Sequence, residues 1–211
     1  AAAAAQSEQA RSQLLAELGP ELERWASNEH IRLQPLQSQA WRALQAVAGA
    51  VQGLWGASAR VELFGSWASG LQLPSSDVDL LVVGAPPSAS AGAALRALAE
   101  RLTSSGAIDA GSLRLIDTAR VPVIKAHALL PADAACLCDG GVLHLDISLE
   151  GFGHHTGAAS TQLTRAFIAQ LPGLQPLVLL LKAMLASHQL NSASTGGLGS
   201  YALVLMATSL L

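Results

Sequence analysis

The sequence has little charge of either sign, with 12 Lys and Arg against 15 Asp and Glu in 211 residues, a formal net charge of -3. That balance excludes a strongly basic nucleic-acid module, so contact with a polyanion would need a local patch, a metal or a partner protein. Cysteine is scarce. Cys136 and Cys138 are too few and too close for a disulfide framework, which fits a reducing compartment. Together with His154-His155 they do not make a tetrahedral zinc pattern and read as loop cysteines and exposed histidines. Long hydrophobic runs are absent as well. The most apolar tract, "LVLLLKAML", is short and interrupted by Lys182, so no membrane span is expected. The alanine-rich start lacks the basic region and apolar core of a secretory signal. No internal repeat is visible, and the expectation is a soluble, intracellular protein.

A hydrophobic fraction of 51%, inflated by alanine, implies ordinary globular packing over one large domain or one domain plus part of another. Residues 1–10 read as a frayed, low-complexity end. From 11 to 55, apolar residues recur at three- and four-residue spacing, predicting helices interrupted near Gly19-Pro20 and again near 33–35. Trp25, Trp41 and Trp55 fall on these helices as core anchors. "ARVELFG" predicts a strand, Ser66 to Gly70 a helical turn, and Asp77 to Val83 a second strand. Residues 88–106 predict a helix with serine caps at its start and a glycine at its end. Further strands are expected over 113–116, 121–127 and 142–150, with loops over 131–141 and 151–155. Helices follow over 156–171 and 175–190, then a Gly/Ser turn, then a helix from Tyr201 to Leu211. That last apolar helix stops without a cap, so a truncated second, helical domain is expected.

Alternation along a strand puts Asp77 and Asp79 on one face at the head of their strand. Asp146 lies inside another apolar strand, "HLDIS", where an unpaired carboxylate is costly. Three carboxylates converging on one sheet repel unless a cation joins them, and oxygen ligands of this type select Mg²⁺ or Mn²⁺. A D-x-D taken alone reads more simply as a turn cap at Asp77 and a surface ion pair at Asp79. Upstream, Gly65 and Ser66 open a short helix whose N–H groups and hydroxyl suit phosphate oxygens. Phosphate cradle, paired carboxylates and a third carboxylate strand together describe metal-dependent nucleotidyl transfer. Trp67 sits inside that turn and is placed behind the loop.

On these residues the chain resembles a known family. "FGSWASGLQLPSSDVDL" resembles the G-S…D-x-D signature of the DNA polymerase β-like nucleotidyltransferases, in wording nearest the non-canonical poly(A) polymerases of the Trf4/PAPD type. "VPVIKAHA", "LHLDISLE" and the stretch from "LVLLLKAML" to the last residue extend the likeness over about Ala59 to Leu211. The resemblance implies an α+β fold: a polymerase β-like palm, a mixed sheet with flanking helices, beside a partial all-helical central domain. Its implied boundaries are a low-complexity end over 1–10, N-terminal helices packing on the central domain over 11–55, a catalytic domain over 56–155 and the start of the central domain over 156–211.

Carried over by position, Asp77, Asp79 and Asp146 would be the catalytic metal ligands, with Asp146 also helping to activate an RNA 3′-hydroxyl. Gly65 and Ser66 would hold the triphosphate, Lys182 neutralise it, Ser200 hydrogen-bond it and Tyr201 stack on the base. The plainer readings are a snorkelling Lys182 and a half-buried core Tyr201. The family's Asn-Gly pair after the third aspartate is replaced by "EGFGHHTGAAS", leaving Thr156, Gly157 and Ala158 as the ribose-side contacts. A basic residue beyond Lys182 gives way to Ser187-His188, with His188 as a partial substitute. The implied activity is addition of AMP from ATP to RNA 3′ ends, with Mg²⁺ or Mn²⁺ as cofactor. Implied partners are the RNA 3′ end, a zinc-knuckle RNA-binding protein and helicase or exosome machinery, with a nuclear or nucleolar location. The alternatives are a terminal uridylyltransferase on the same fold and a truncated, non-catalytic fragment that binds nucleotide or a partner.

Overall fold

The computed structural model describes residues 2–86, 90–106, 108–151 and 156–211. The chain opens with α1 (Ala2–Arg32) and α2 (Gln34–Trp55), then β1 (Arg60–Phe64), the short α3 (Gly65–Ser69), β2 (Val78–Val83) and α4 (Ala91–Ser105). β3 (Arg114–Ile116), β4 (Val123–Leu129), α5 (Ala132–Ala135) and β5 (Val142–Leu149) follow, and then α6 (Gly157–Gln170), α7 (Leu174–Ser187) and α8 (Ser200–Thr208). Two compact units emerge: Leu33–Arg165, and Ala1–Arg32 together with Ala166–Leu211.

The first unit is built on a five-stranded sheet in the order β1-β2-β5-β4-β3. β2 and β5 run parallel and every other neighbouring pair is antiparallel, so the sheet is mixed. One face carries Val78, Leu80, Val82, Ile124, Leu145 and Ile147, all fully buried. Burying a side chain of this size contributes about 1.5–3 kcal/mol. α2 covers that face because Leu36, Ala40, Ala43, Leu44, Val47, Ala50 and Val51 recur on one helical stripe, and it packs against β1, β2 and α4. α4 is delimited as its sequence predicts. Ser90 Oγ accepts from the Ala93 N–H at its start, and Gly106 ends it in the left-handed region.

In the second unit α1 packs along α7, and α7 against α8. Leu174, Val178 and Leu179 of α7 and Leu203, Val204 and Ala207 of α8 are buried. Thus the N-terminal helices, expected to pack together on the helical domain, part company: α1 joins the helical unit and α2 the sheet unit. The reason lies in α2's apolar stripe, which matches the sheet face.

Several expectations along these helices are corrected. The alanine-rich end is helical from Ala2, in keeping with alanine's helix propensity. α1 also runs unbroken through Pro20. Pro20 removes one N–H, but the carbonyl it orphans, on Ala16, is exposed to water, and the preceding Gly19 has no Cβ to clash with the ring. The break at 33–35 does occur, with Pro35 in the first turn of α2. Trp41 is 56% exposed rather than a core anchor. Trp55 packs at the edge of the core. Residues 131–141 hold α5 and a 3-10 turn (Asp139–Gly141) rather than plain loop. His154-His155 lie outside the described residues. Among the described residues no helix is long and apolar enough to cross a membrane.

Candidate active site

The open face of the sheet carries the polar residues. Pairing places Phe64 opposite Asp79, Asp79 opposite Asp146, Asp146 opposite Lys125, and Lys125 opposite Arg114. One residue from each strand therefore forms a continuous cross-strand row, with two carboxylates and a lysine at its centre. Asp77 stands just before β2, two residues from Asp79 and so on the same face. The structure brings Asp77, Asp79 and Asp146 together as alternation and strand order require.

Lys125 binds this cluster. Its Nζ donates to both carboxylate oxygens of Asp146 at 2.9 and 2.7 Å and lies 3.8 Å from Asp77 Oδ2. Burial alone would lower the lysine's pKa, but the hydrogen bond to Asp146 and the charges of Asp146, Asp77 and Asp79 outweigh it and hold the ammonium above its ordinary value. Asp146 is also raised: burial disfavours its charge, Lys125 offsets part of that, and Asp77 adds repulsion. Both directions follow from position, since the Asp146 side chain is 23% exposed and that of Lys125 46%.

The turn before the carboxylates is built tightly. Gly65 has φ +68°, and a Cβ there would overlap the carboxylate of Asp79. Only glycine allows the backbone to approach this closely. Its N–H donates to Thr161 Oγ1 at 2.8 Å, and Thr161 donates in turn to the Gly157 carbonyl at 2.8 Å. Gly65 thus shapes the turn, while its own N–H is committed to α6 rather than held out for phosphate. Trp67 is buried behind the loop, its Nε1 donating to the Ser76 carbonyl at 3.1 Å. Ser76 Oγ accepts from the Leu73 N–H at 2.9 Å, and the Cys138 thiol donates to the Pro74 carbonyl at 3.4 Å. The lead-in to Asp77 is therefore braced from three directions, Cys138 among them.

Beside the carboxylates opens a cavity of about 290 Å³ lined by Phe64, Asp79, Val121, Val123, Asp146, Ser148, Thr156 and Gly157. Thr156 and Gly157 thus reach the same space as two of the carboxylates. Lys182, Ser200 and Tyr201 belong to the other unit. Lys182 is 6% exposed, so it does not snorkel. Ser200 is the first residue of α8, and Tyr201 beside it is 37% exposed rather than a core aromatic. His188 caps α7, with Nδ1 2.8 Å from the Met184 carbonyl; an oxygen that only accepts requires the proton on Nδ1.

Two contributors escape sequence reasoning. Lys125 could have been found as the lone charge in the apolar strand "VPVIKAHA". Thr161 carries no local signal, because its partner Gly65 is 96 residues away. Among the described residues no three His, Cys, Asp or Glu side chains are already gathered as a metal set. Instead, an ammonium sits against two of the three carboxylates. A cation is thus already drawn to this place, and an all-oxygen donor set of this charge fits Mg²⁺ or Mn²⁺.

A two-layer palm with carboxylates on its open face defines a nucleotidyltransferase fold, and comparison with known proteins agrees. The model of the poly(A) RNA polymerase, mitochondrial-like, central palm domain matches residues 25–167. Poly(A) RNA polymerase protein 1 of Eremothecium gossypii is 34% identical over 169 residues, 80% of this chain and 24% of that relative. The inactive non-canonical poly(A) RNA polymerase protein Trf4-2 of Drosophila melanogaster is 33% identical over 170 residues, 80% of this chain and 38% of its length. Among solved structures, the polymerase core of TRAMP, a RNA surveillance complex, superposes with TM-score 0.63 at 29% identity, covering 80% of this chain and 47% of that one. A mutant of the Cid1 poly(U) polymerase bound to MgATP superposes with TM-score 0.69 at 25% identity, covering 90% and 54%. The chain belongs to the poly(A) RNA polymerase family with this palm domain, and its fold is that of the polymerase β-like nucleotidyltransferases. It spans roughly a quarter to two-fifths of the length of these curated relatives.

Proposed function

We propose that the protein is a template-independent RNA nucleotidyltransferase that adds AMP from ATP to RNA 3′ ends. The observation that carries this reading is the cross-strand pair of Asp79 and Asp146, with Asp77 alongside, bordering a cavity. Asp77, Asp79 and Asp146 would hold Mg²⁺ or Mn²⁺, which when bound supplies Lewis-acid stabilisation of the transferring phosphoryl group. The 3′-oxygen attacks the α-phosphorus of ATP in line, the bond to pyrophosphate breaks, and the hydroxyl proton passes to an Asp146 carboxylate oxygen. Asp146 borders the cavity beside Asp79 and is placed for that task. Lys125 releases Asp146 as cation and substrate arrive and keeps the site's charge balanced between turnovers. Thr156 and Gly157 contact the nucleotide from the cavity wall. Ser66 hydrogen-bonds the triphosphate.

The whole protein would act on RNA 3′ ends for surveillance or decay in the nucleus, alongside a zinc-knuckle RNA-binding protein and helicase or exosome machinery. The solved relative that is a surveillance polymerase core supports this. The net charge of -3 fits reliance on a partner for RNA. The likeness to a poly(U) polymerase keeps UTP as the alternative nucleotide. The inactive relative keeps a non-catalytic role as the other alternative.

The test is nucleotide incorporation on an oligo(A) primer with Mg²⁺ or Mn²⁺, each NTP offered separately, beside Asp77→Ala. ATP-dependent extension that falls on the order of 10³-fold in the variant supports the reading. Preference for UTP shifts it to uridylyl transfer. No extension with any nucleotide, even with a zinc-knuckle partner present, removes the catalytic claim.

A further inference from the structure

Two residues along the strands from Lys125 and Asp146 lies an aromatic pair that the reaction outlined above does not use. His127 of β4 and His144 of β5 are cross-strand partners, in the row next to Lys125 and Asp146 on the same face. Two residues of strand separate the rows by about 7 Å. The rings meet edge to face, centroids 4.5 Å apart and planes at 78°. His144 is exposed and His127 half-buried, so part of this ring surface faces solvent.

The strand that carries His127 is held firmly. The His127 N–H donates to Ser112 Oγ at 2.8 Å, and its carbonyl accepts from the Asp109 N–H at 2.9 Å. β4 is thereby pinned to the 3-10 turn at Ala110–Ser112 on one side and to β5 on the other. A platform already ordered loses little conformational freedom when something stacks on it.

Its placement relative to the cavity says what that would be. The cavity lies towards Val123 and Ser148, on one side of the Asp146 row, and the histidines lie on the other. An in-line transfer needs the attacking and leaving oxygens on opposite sides of phosphorus. With the nucleotide in the cavity, the acceptor approaches from the histidine side. A base stacked on these rings puts its 3′-oxygen one nucleotide's reach from Asp146, whose row adjoins that of the histidines. Stacking tolerates any base and needs no strongly basic groove, which suits a chain of this charge.

Resting on the proposed nucleotidyl transfer to RNA, we propose that His127 and His144 form the platform that seats the 3′-terminal base of the acceptor RNA. The decisive experiment measures fluorescence anisotropy of a labelled single-stranded oligo(A), without metal or NTP, for the parent chain and two double variants. In one, both histidines become Leu; in the other, both become Phe. Thermal melting confirms that each folds. Loss of the rings is expected to weaken RNA binding about tenfold, while the Phe variant retains it. In extension assays the RNA KM rises for the Leu variant by the same factor and the KM for ATP holds.

Equal RNA affinity in the parent and the folded Leu variant overturns the proposal. So does an absence of RNA binding by the parent. Zn²⁺ binding at the pair, with RNA affinity indifferent to the rings, also overturns it and marks a metal site. Ring-dependent RNA binding in a parent that incorporates no nucleotide upholds the platform while the catalytic reading falls.

Discussion

The two faces of the sheet differ more than any two regions of the molecule, although the same strands build both. On one face Val78, Leu80, Val82, Leu145 and Ile147 are sealed from water beneath α2 and α4. On the other, one residue along in each case, stand Asp79 and Asp146, with Lys125 and the paired histidines beside them. Pleating alone separates the residues that stabilise the sheet from those that charge it. The chemistry thus stands on a rigid base, and its geometry is inherited from the core.

Adjacent residues of β5 sharpen this contrast most. Asp146→Asn should abolish nucleotide incorporation, by on the order of 10³-fold, while thermal melting moves only a few degrees. Ile147→Ala, its neighbour facing inward, should cost about 2–5 kcal/mol of stability in urea unfolding. Its activity per folded molecule should stay near that of the parent. The contrast fails if Asp146→Asn unfolds the protein or if Ile147→Ala spares stability. Gly65→Ala comes next, because it touches both properties. The left-handed backbone costs about 1–2 kcal/mol for a residue with a Cβ, and the clash displaces the Asp79 carboxylate. Stability and incorporation should fall together, and an active, fully stable variant would disprove the close approach.

Lys125→Met acts on the open face alone. Removing the ammonium leaves three carboxylates facing one another without their counter-ion, so Mg²⁺ should raise the variant's Tm by more than it raises the parent's. An equal shift in both would mean that Lys125 does not compete for the site. The smallest effect belongs to Glu62→Gln in β1. Its ion pair with Arg60 spans 2.8 Å between side chains that are 61% and 43% exposed. Chemical denaturation should register less than about 1 kcal/mol.

What the sequence makes legible here is local. Two aspartates at i and i+2 must share a face, a serine before an alanine-rich stretch starts a helix, and Gly106 ends it. Relations between distant residues are not written in any local pattern. Thr161 reaching Gly65, or Lys125 answering Asp146, depends on which strands become neighbours. Pro20 misleads because the general rule against proline in helices assumes that the orphaned carbonyl is buried, and here it meets water. Trp41 misleads because hydrophobic spacing marks a stripe on α2 without saying how wide the covered part is. Lys182 is buried, which sets aside the plainer of its two readings, a side chain snorkelling to solvent.

The strand order carries a consequence for how the protein comes into being. β5 is the last strand among the described residues, yet it lies at the middle of the sheet, between β2 and β4. Before it arrives, β1 with β2 and β3 with β4 can exist only as separate hairpins with bare inner edges. Inserting β5 joins them, completes the apolar layer beneath the helices and delivers Asp146 to Asp79 in one event. During synthesis, a chain that has emerged only as far as Gly141 carries Asp77 and Asp79 but no seat for them. The meeting of Asp77 and Asp79 with Asp146 is therefore tied to completion of the sheet.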